Sequence, residues 1–226
     1  KYHITYDDCL SFEEISFLKK YIKNRKKLNV IEVGPGYGRS AEFILKNFKI
    51  KNIILVDYES ILNLTKKYLK KVLRKNDYNK IVFCNFESFN FKKNYFLDNY
   101  KINNFDLLFN SDSFHEIENK IIYKYLNYFS KISDKFFIKN AIAKYKIQDV
   151  SDHLSKKSVP KNNIKLGLSN EIINIFDNKK INAQSKKYLK KYNPYKKNFI
   201  CHYDLSEIYP TCLLALFCKI KKWYNI

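Results

Sequence analysis

The segment Leu28 to Gly38, LNVIEVGPGYG, constrains the fold of this chain more than any other. It opens with a short apolar run and ends in three glycines at alternate positions, and a helix-like pattern begins at Arg39. Glycine has no Cβ atom, so the backbone of such a turn can adopt positive φ angles and can approach a ligand closely. The helix that follows begins with N–H groups that have no partner within the helix. The segment therefore predicts a strand, a tight ligand-binding turn and a helix.

Apolar runs and helical patterns alternate along most of the chain. Short apolar runs predict strands at 30–33, 52–56, 80–84, 105–109, 135–138, 198–203 and 211–220. Apolar residues at helical spacing predict helices at 39–48, 60–73 and 119–132, and over most of 166–191. Strands that alternate with helices predict a doubly wound α/β sheet with helices on both faces. Right-handed crossovers then place the loops that follow the parallel strands at the carboxyl edge of the sheet.

The residues before the first strand predict another helix. Ser11 and Glu14 have the spacing of a capping box, in which a hydroxyl and a carboxylate satisfy free N–H groups at a helix start. Apolar residues then recur at roughly helical spacing as far as Lys27. We therefore predict an extended lead-in over 2–10 and a helix over 11–27.

The formal net charge of +21 invites a nucleic-acid or anionic-membrane interpretation. Only three of the 43 basic residues are arginines, and the lysines are scattered along the chain, many of them in pairs. Lys, Asn, Ile, Tyr and Phe are all abundant while Gly and Pro number four each, which is typical of an AT-rich coding sequence. We therefore interpret the charge as a compositional bias and do not expect a nucleic-acid partner, although an anionic acceptor would benefit from the same field.

The cysteines and the hydropathy pattern bear on the cellular compartment. No run of 18 apolar residues predicts a membrane span, and the polar, acidic start does not resemble a signal peptide. The five cysteines are odd in number and form no Cys-x-x-Cys pair, which is typical of free thiols in a reducing cytoplasm. No Cys/His spacing predicts a zinc site. We expect a cytoplasmic protein.

The glycine turn has a recognisable chemical signature, an acid followed by Gly-x-Gly-x-Gly. Six residues carry it: Glu32, Gly34, Pro35, Gly36, Tyr37 and Gly38. The pattern resembles motif I of the class I S-adenosylmethionine (SAM)-dependent methyltransferases; the alternative is a glycine turn of another α/β unit that binds a nucleotide or no ligand. The resemblance implies that these residues wrap the methionine part of SAM and that Glu32 orients the loop and the methionine amine. It also implies a Rossmann-like, seven-stranded, mostly parallel sheet whose last two strands form an antiparallel pair at one edge.

An acid stands at the end of the second predicted strand. Asp57 follows Gly38 by nineteen residues. In dinucleotide-binding folds an acid about 20 residues after the glycines accepts hydrogen bonds from a ribose, and the methyltransferase pattern has the same acid. Asp57 is therefore predicted to bind the ribose of SAM, and it could also cap the next helix. Tyr58 is predicted to pack on the adenine.

The resemblance extends to the loop after the third predicted strand. Class I methyltransferases carry a polar residue here that contacts the adenine amine, next to an apolar residue that stacks on the ring. Asn85 and Phe86 fit these roles in type. The alternative is an ordinary loop, because asparagine is common after any strand.

The segment Asn110 to Glu116, NSDSFHE, follows the fourth predicted strand. In the methyltransferase fold the cofactor sulfonium and the acceptor meet at this loop, and we assign Asn110 and Ser111 to the cofactor. His115 is the side chain best suited to take a proton near neutral pH, so it is predicted to be the general base, oriented by Asp112 or Glu116. The alternatives are a helix-capping loop, or a divalent cation held by Asp112 and Glu116. No second acid pair is evident, so we favour catalysis without a metal.

Three segments together resemble the sugar O-methyltransferase group of bacterial capsule and related surface-polysaccharide pathways. They are 32–39, 55–57 and 113–116. This resemblance implies methyl transfer from SAM to a hydroxyl of a sugar or a nucleotide-linked sugar, with S-adenosylhomocysteine as the second product. Two alternatives stay open: an RNA methyltransferase, supported by charge alone, and a non-catalytic partner subunit with the same fold.

The chain is long enough for one α/β domain. Within it we assign 1–27 to a helical lead-in, 28–143 to a cofactor-binding core, and 144–226 to an acceptor-side loop and helix with the last two strands. The sequence does not predict the oligomeric state.

Overall fold

The computed structural model of the 226-residue chain describes residues 4–23, 26–89, 91, 94–114, 117–145, 172–174, 176–195, 197–209 and 212–220. Within these residues the helices are α1 (Tyr6–Tyr21), α2 (Arg39–Asn47), α3 (Glu59–Val72), α4 (Lys75–Tyr78), α5 (Tyr95–Tyr100), α6 (Asn119–Ile132) and α7 (Asn178–Tyr192). The strands are β1 (Leu28–Val33), β2 (Ile50–Asp57), β3 (Ile81–Asn85), β4 (Leu107–Ser111), β5 (Lys135–Ala141), β6 (Lys144–Tyr145), β7 (Ile172–Ile173), β8 (Phe199–Leu205) and β9 (Cys212–Lys219).

Seven of these strands form one sheet in the order β3-β2-β1-β4-β5-β9-β8. The first five are parallel to one another, β9 is antiparallel to β5, and β8 is antiparallel to β9. The predicted seven-stranded, mostly parallel sheet with an antiparallel pair at one edge is thus confirmed. The direction of winding reverses between β1 and β4, and in open α/β sheets ligands bind at such a switch point, beyond the carboxyl ends of the strands. A small parallel pair, β6 with β7, was not predicted.

The N-terminal helix begins earlier than predicted. Thr5 caps α1: its hydroxyl accepts a hydrogen bond from the Asp8 N–H (3.2 Å), and its own N–H donates to the Asp8 carboxylate (2.9 Å). The extended lead-in and the capping role of Ser11 and Glu14 were therefore wrong. Both residues lie inside α1 and are buried, and Thr5 with Asp8 supplies the same reciprocal cap six residues earlier.

The fourth strand is shifted by two residues from its predicted position. Phe105 forms only an isolated bridge with Ser133, and β4 runs from Leu107 to Ser111. As a consequence Asn110 and Ser111 belong to the end of the strand rather than to the loop after it. The helix predicted over 166–191 begins at Asn178 within the described residues, and 166–171 lie outside them.

Helices cover both faces of the sheet, and each face has its own apolar core. On one face α1, α2 and α3 bury Leu18, Ile44 and Leu69 against the strands. On the other, α5, α6 and α7 contribute side chains that include Phe129 and Tyr192. Burial of such a side chain contributes about 1.5–3 kcal/mol, so the two cores account for much of the gross stabilisation.

Two further predictions concern the cell compartment. All five cysteines are free, and Cys84 and Cys212 are buried. None of the helices in the described part of the chain is both long and apolar enough to cross a membrane.

Candidate active site

The glycine loop follows β1 at the switch point of the sheet. A Cβ atom on Gly34 would lie 2.3 Å from the Ser113 Oγ, so only glycine lets this loop approach the segment after β4. A Cβ atom on Gly36 would have no heavy atom of the described protein within 4 Å. The loop is thus packed against protein on one side and borders open space on the other, as a ligand-binding turn requires.

Hydrogen bonds hold this loop in place. The Gly34 N–H donates to the Val56 carbonyl of β2 (2.9 Å), and the Thr65 hydroxyl of α3 donates to the Gly36 carbonyl (2.5 Å). The Gly38 N–H donates to the Pro35 carbonyl (2.9 Å), which closes the turn before α2 begins. The loop is therefore preformed by the fold.

Tyr37 connects the loop to the N-terminal helix. Its hydroxyl donates to the Asp7 carboxylate of α1 (2.8 Å), and its ring packs edge-on against Tyr68. Burial and the hydrogen bond to Asp7 raise the pKa of Tyr37 to about 12. The tyrosine is thus neutral and anchors α1 beside the glycine loop.

Glu32 is a carboxyl group buried directly before the loop. It is 2% exposed, and its Oε2 has no hydrogen-bond partner among the described residues. Burial, together with the negative charges of Glu14 and Asp57, raises its pKa to about 8, although Arg39 acts in the opposite direction. A buried acceptor without a partner costs about 1–3 kcal/mol, so this oxygen is suited to receive a cationic donor from a ligand.

The ends of β2 and β3 bring four predicted residues together. Asp57 and Asn85 are paired across the two strands, and the Phe86 N–H donates to the Asp57 carbonyl (2.7 Å). The Tyr58 ring is 53% exposed and packs edge-on against Phe86, with 5.2 Å between centroids. Aromatic faces therefore stand beside the predicted ribose acid. The Asn85 side-chain oxygen accepts the Glu87 N–H (3.0 Å), which leaves its NH₂ group for another acceptor.

The end of β4 is tied to the end of β1 by side chains. The Asn110 amide donates to the Val33 carbonyl (2.9 Å) and to the Ser113 hydroxyl (2.5 Å), and Ser113 donates to the same Val33 carbonyl (3.1 Å). Asn140 of β5 donates to the Asn110 side-chain oxygen (2.8 Å). Asn110 is fully buried, and these contacts use its side-chain donors and its oxygen, so it positions the loops. The direct cofactor contact predicted for it stays a prediction.

Asp112 occupies a strained position at the same edge of the sheet. Its φ angle is +59°, a left-handed conformation that non-glycine residues adopt at some cost. Its N–H donates to the Lys139 carbonyl (2.8 Å), while its carboxylate lies 3.2 Å from the Ser111 hydroxyl oxygen and 3.7 Å from the Lys139 Nζ. The side chain is 37% exposed, so one predicted catalytic acid is reachable from solvent.

A buried ionic cluster that the sequence interpretation missed stands behind Asp112. Its centre is the Glu14 carboxylate of α1, which is 1% exposed. Arg39 donates to both Glu14 oxygens (3.2 and 3.3 Å), the Ser111 hydroxyl donates at 2.7 Å, and the Lys139 Nζ donates at 3.1 Å. One carboxylate thus joins α1, α2, β4 and β5. The available signals were a lysine in the apolar strand KFFIKNA and an arginine directly after the glycine loop.

Both cations of this cluster remain charged. Burial disfavours the charged form of Lys139, but the carboxylates of Glu14 and Asp112 outweigh it, so the pKa of Lys139 is raised above its usual value. The pKa of Arg39 is raised in the same way, with burial outweighed by Glu14. Lys139 and Arg39 therefore stay protonated over the neutral pH range.

The remaining predicted catalytic residues, His115 and Glu116, lie outside the described residues. His202 stacks on Tyr21 of α1, with 4.0 Å between centroids. Within the described ranges no group of three or more His, Cys, Asp or Glu side chains could hold a metal ion.

Comparisons with known proteins bear on the fold. No protein-family model and no curated protein matches the sequence. The methyltransferase domain of bacterial CtHen1-C is similar, with a TM-score of 0.63 at 14% identity over 96% of this chain and 100% of that one. This chain has the methyltransferase fold. Two longer proteins share the fold: the SAM-dependent methyltransferase SibL (TM-score 0.56, 9% identity, 94% of this chain and 56% of that one) and the mitomycin 7-O-methyltransferase MmcR (0.54, 9%, 93% and 54%).

In the methyltransferase fold of this chain the predicted cofactor residues lie at one edge of the sheet. The glycine loop follows β1, and Asp57, Asn85 and Ser111 stand at the ends of β2, β3 and β4. Because parallel strands end at the same edge, residues more than fifty positions apart in sequence form one surface.

Proposed function

We propose that this protein is a SAM-dependent O-methyltransferase that acts on a hydroxyl of a sugar or of a nucleotide-linked sugar. The observation that carries the proposal is the loop Gly34–Gly38, which borders open space at the switch point and is preceded by a buried carboxylate without a partner. The solved structures that share the fold include SAM-dependent and O-methyl-transferring enzymes, which supports the same reaction class.

The residues present fit SAM in shape and charge. Gly36 leaves room for the methionine part, Glu32 offers an unpartnered oxygen to its ammonium group, and Asp57 offers a carboxylate to the ribose. Tyr58 and Phe86 supply aromatic surface for the adenine. When bound, SAM supplies an electrophilic methyl group on a sulfonium. A cationic ligand also suits an edge where the carboxyl groups of Glu14, Glu32, Asp57 and Asp112 lie together, because a bound ammonium would favour the ionised form of Glu32.

On the acceptor side, the chain must orient a hydroxyl and take up its proton. We assign the proton to His115, with Glu116 or Asp112 to orient it, because Asp112 stands at the end of β4 and is reachable from solvent. Ser111 is held by Glu14 and by the Asp112 carboxylate, so we assign it to the wall between cofactor and acceptor. The rest of catalysis is positioning, which can supply a large part of the rate enhancement without any further chemical group.

Replacing Asp57 with alanine is expected to weaken SAM binding by about 10- to 100-fold, because hydrogen bonds to a charged acceptor are worth about 1.5–3 kcal/mol. Titration calorimetry with SAM measures this directly. Asp98→Ala removes an exposed acid of α5 and serves as the matched control, since its dissociation constant should stay at the wild-type value. Equal affinities for all three proteins would remove Asp57 from the cofactor site.

Replacing His115 with alanine should leave SAM binding intact and lower turnover by about 100-fold or more, the usual contribution of a general base. The assay is a panel of sugars and nucleotide-sugars incubated with SAM and read by mass for a gain of one methyl group. His202→Ala, which alters the histidine stacked on Tyr21, should keep its turnover. Wild-type turnover in the His115 variant would exclude this residue as the base. A wild-type protein that binds no SAM would instead favour the non-catalytic partner subunit.

A further inference from the structure

The lysine excess of the chain is unevenly distributed over the two faces of the sheet. The helices of one face, α5, α6 and α7, carry nine lysines and one acidic residue, Asp98. On the opposite face, α1, α2 and α3 carry eight basic and six acidic residues. A compositional bias alone would spread charge of both signs over both faces, so the contrast points to a binding role for the α6–α7 face.

The helix with the most lysines on this face is α7. Six of its fifteen residues are exposed lysines: Lys179, Lys180, Lys186, Lys187, Lys190 and Lys191. Their spacing places them in two adjacent rows, one made of positions 179, 186 and 190 and the other of 180, 187 and 191. Asp177, which caps the helix and lies 3.8 Å from the Lys180 Nζ, is the acid nearest in sequence. The rows form a continuous basic stripe along one side of the helix.

The helix that carries this stripe contacts the candidate active site through its buried side, while the lysines lie on its exposed side. Tyr192 of α7 stacks on Phe114, three residues after Ser111, with 6.0 Å between ring centroids. Tyr188 is buried, and burial raises its pKa well above the usual value, with smaller contributions from Tyr192, Cys212 and Asp112. The C-terminal part of α7 therefore packs against the segment that follows β4, where the acceptor is expected.

A cleft of about 370 Å³ lies between α7 and β8 on the same face. Asn182, Ser185 and Lys186 line it from α7, and Tyr203 and Asp204 line it from β8. Leu205 pairs with Leu213, next to the pairing of Cys212 with Ala141 at the end of β5, so the cleft lies near the carboxyl edge of the sheet. Asp204, the acid of this lining, lies 3.3 Å from the Lys20 Nζ.

The length of the stripe favours a polymer over a small molecule as its ligand. From Lys179 to Lys191 the helix rises by about 18 Å, at about 1.5 Å per residue. The phosphates of one nucleoside diphosphate cannot span this distance, whereas a phosphodiester chain can contact several of the lysines. Two exposed aromatic side chains, Phe176 (78% exposed) and Tyr203 (48% exposed), stand near the start of α7 and in the cleft, and exposed aromatics stack on unpaired bases.

We propose that the lysine stripe of α7 binds the phosphate backbone of single-stranded RNA and presents a ribose hydroxyl to the carboxyl edge of the sheet. This inference rests on the proposed O-methyl transfer and names its acceptor class. RNA fits better than DNA, because a nucleotide within an RNA strand keeps a free sugar hydroxyl and one within a DNA strand does not. The nucleic-acid interpretation, set aside on composition, thus regains support from the placement of the charges.

The test is the binding of a fluorescein-labelled, single-stranded RNA 20-mer of mixed sequence, followed by fluorescence anisotropy between 50 and 300 mM KCl. The α7 variant is Lys179→Gln/Lys186→Gln/Lys190→Gln. The matched control is Lys67→Gln/Lys70→Gln/Lys71→Gln in α3, which removes the same charge from exposed positions on the opposite face. SAM affinity is measured for every protein by calorimetry, to show that the variants are folded.

The α7 variant should bind about tenfold more weakly at 100 mM KCl, and its slope of log K against log salt should fall by about 2, since each single-strand phosphate contact contributes about 0.7. The α3 control should stay within about twofold of wild type. Equal losses in both variants, no loss in either, or no wild-type binding at 50 mM KCl would each overturn the proposal. A wild-type protein that binds RNA but no SAM would count against the proposed methyl transfer and leave the RNA surface standing.

Discussion

Replacing Glu14 with glutamine is expected to lower the free energy of unfolding by about 3–5 kcal/mol, the usual cost of breaking a buried ion pair. The carboxylate is 1% exposed and accepts from Arg39, Lys139 and Ser111. Glutamine has nearly the same shape but no charge, so both cations would be left in the interior without their main counter-ion. The expected loss of stability comes from leaving two buried charges without a counter-ion, rather than from lost packing.

Chemical denaturation of the wild-type and variant proteins measures this difference. Glu59→Gln is the matched control, because Glu59 pairs with Lys66 at 3.0 Å but is 49% exposed. An exposed pair contributes about 0–1 kcal/mol, so the control should unfold close to wild type. If Glu14→Gln lowered the free energy of unfolding no more than Glu59→Gln does, the cluster would not stabilise the packing of α1 against the sheet.

The second large effect concerns Glu32 and depends on pH. Its pKa in the folded protein is about 8, against an ordinary value of 4.5, so folding favours its protonated form. The group contributes its full stability below pH 4.5 and loses it as the pH rises through 8. Glu32→Gln cannot ionise, so relative to wild type the variant should gain stability across this range, by up to about 5 kcal/mol.

Thermal unfolding of the two proteins at pH 5, 7 and 9 follows this gain. The advantage of the variant should shrink when SAM is added near pH 8, because the cofactor ammonium favours the ionised carboxylate under the proposed function. SAM should raise the melting temperature of wild type more than that of Glu32→Gln. A constant difference between the proteins at all three pH values would show that Glu32 ionises freely in the folded state.

Local patterns were enough to predict the parallel strands. Each of them contains an apolar run, and β1, β2 and β4 are followed by the predicted helices with apolar residues at helical spacing. Strand ends were predicted less accurately. The apolar run begins at Phe105, but the hydrogen-bonded ladder of β4 begins only at Leu107, so the strand lies two residues later than predicted. The start of α1 was misplaced because two different pairs, Thr5 with Asp8 and Ser11 with Glu14, have the same capping spacing.

Polar residues at the strand ends were predicted to gather, and Glu32, Asp57, Asn85, Ser111 and Asp112 do lie at one edge. Their individual roles were harder to predict. Asn110 proved to be a buried tie between β1 and β4, which depends on a carbonyl 77 positions away in sequence. A contact between residues so far apart in sequence produces no pattern within a short stretch of the chain.

The sequence by itself determined the order of strands and helices and the position of the glycine loop, because hydrophobic periodicity and glycine spacing are local properties of the chain. Only the tertiary structure decided which charges meet. Glu14 lies 125 positions from Lys139 and looked like a helix cap, yet folding buries the two side chains in contact at 3.1 Å. The lysines that looked scattered become a stripe on α7 facing away from the acidic α1. Electrostatic interactions act through space rather than along the chain, so their pattern appears only when the elements have packed.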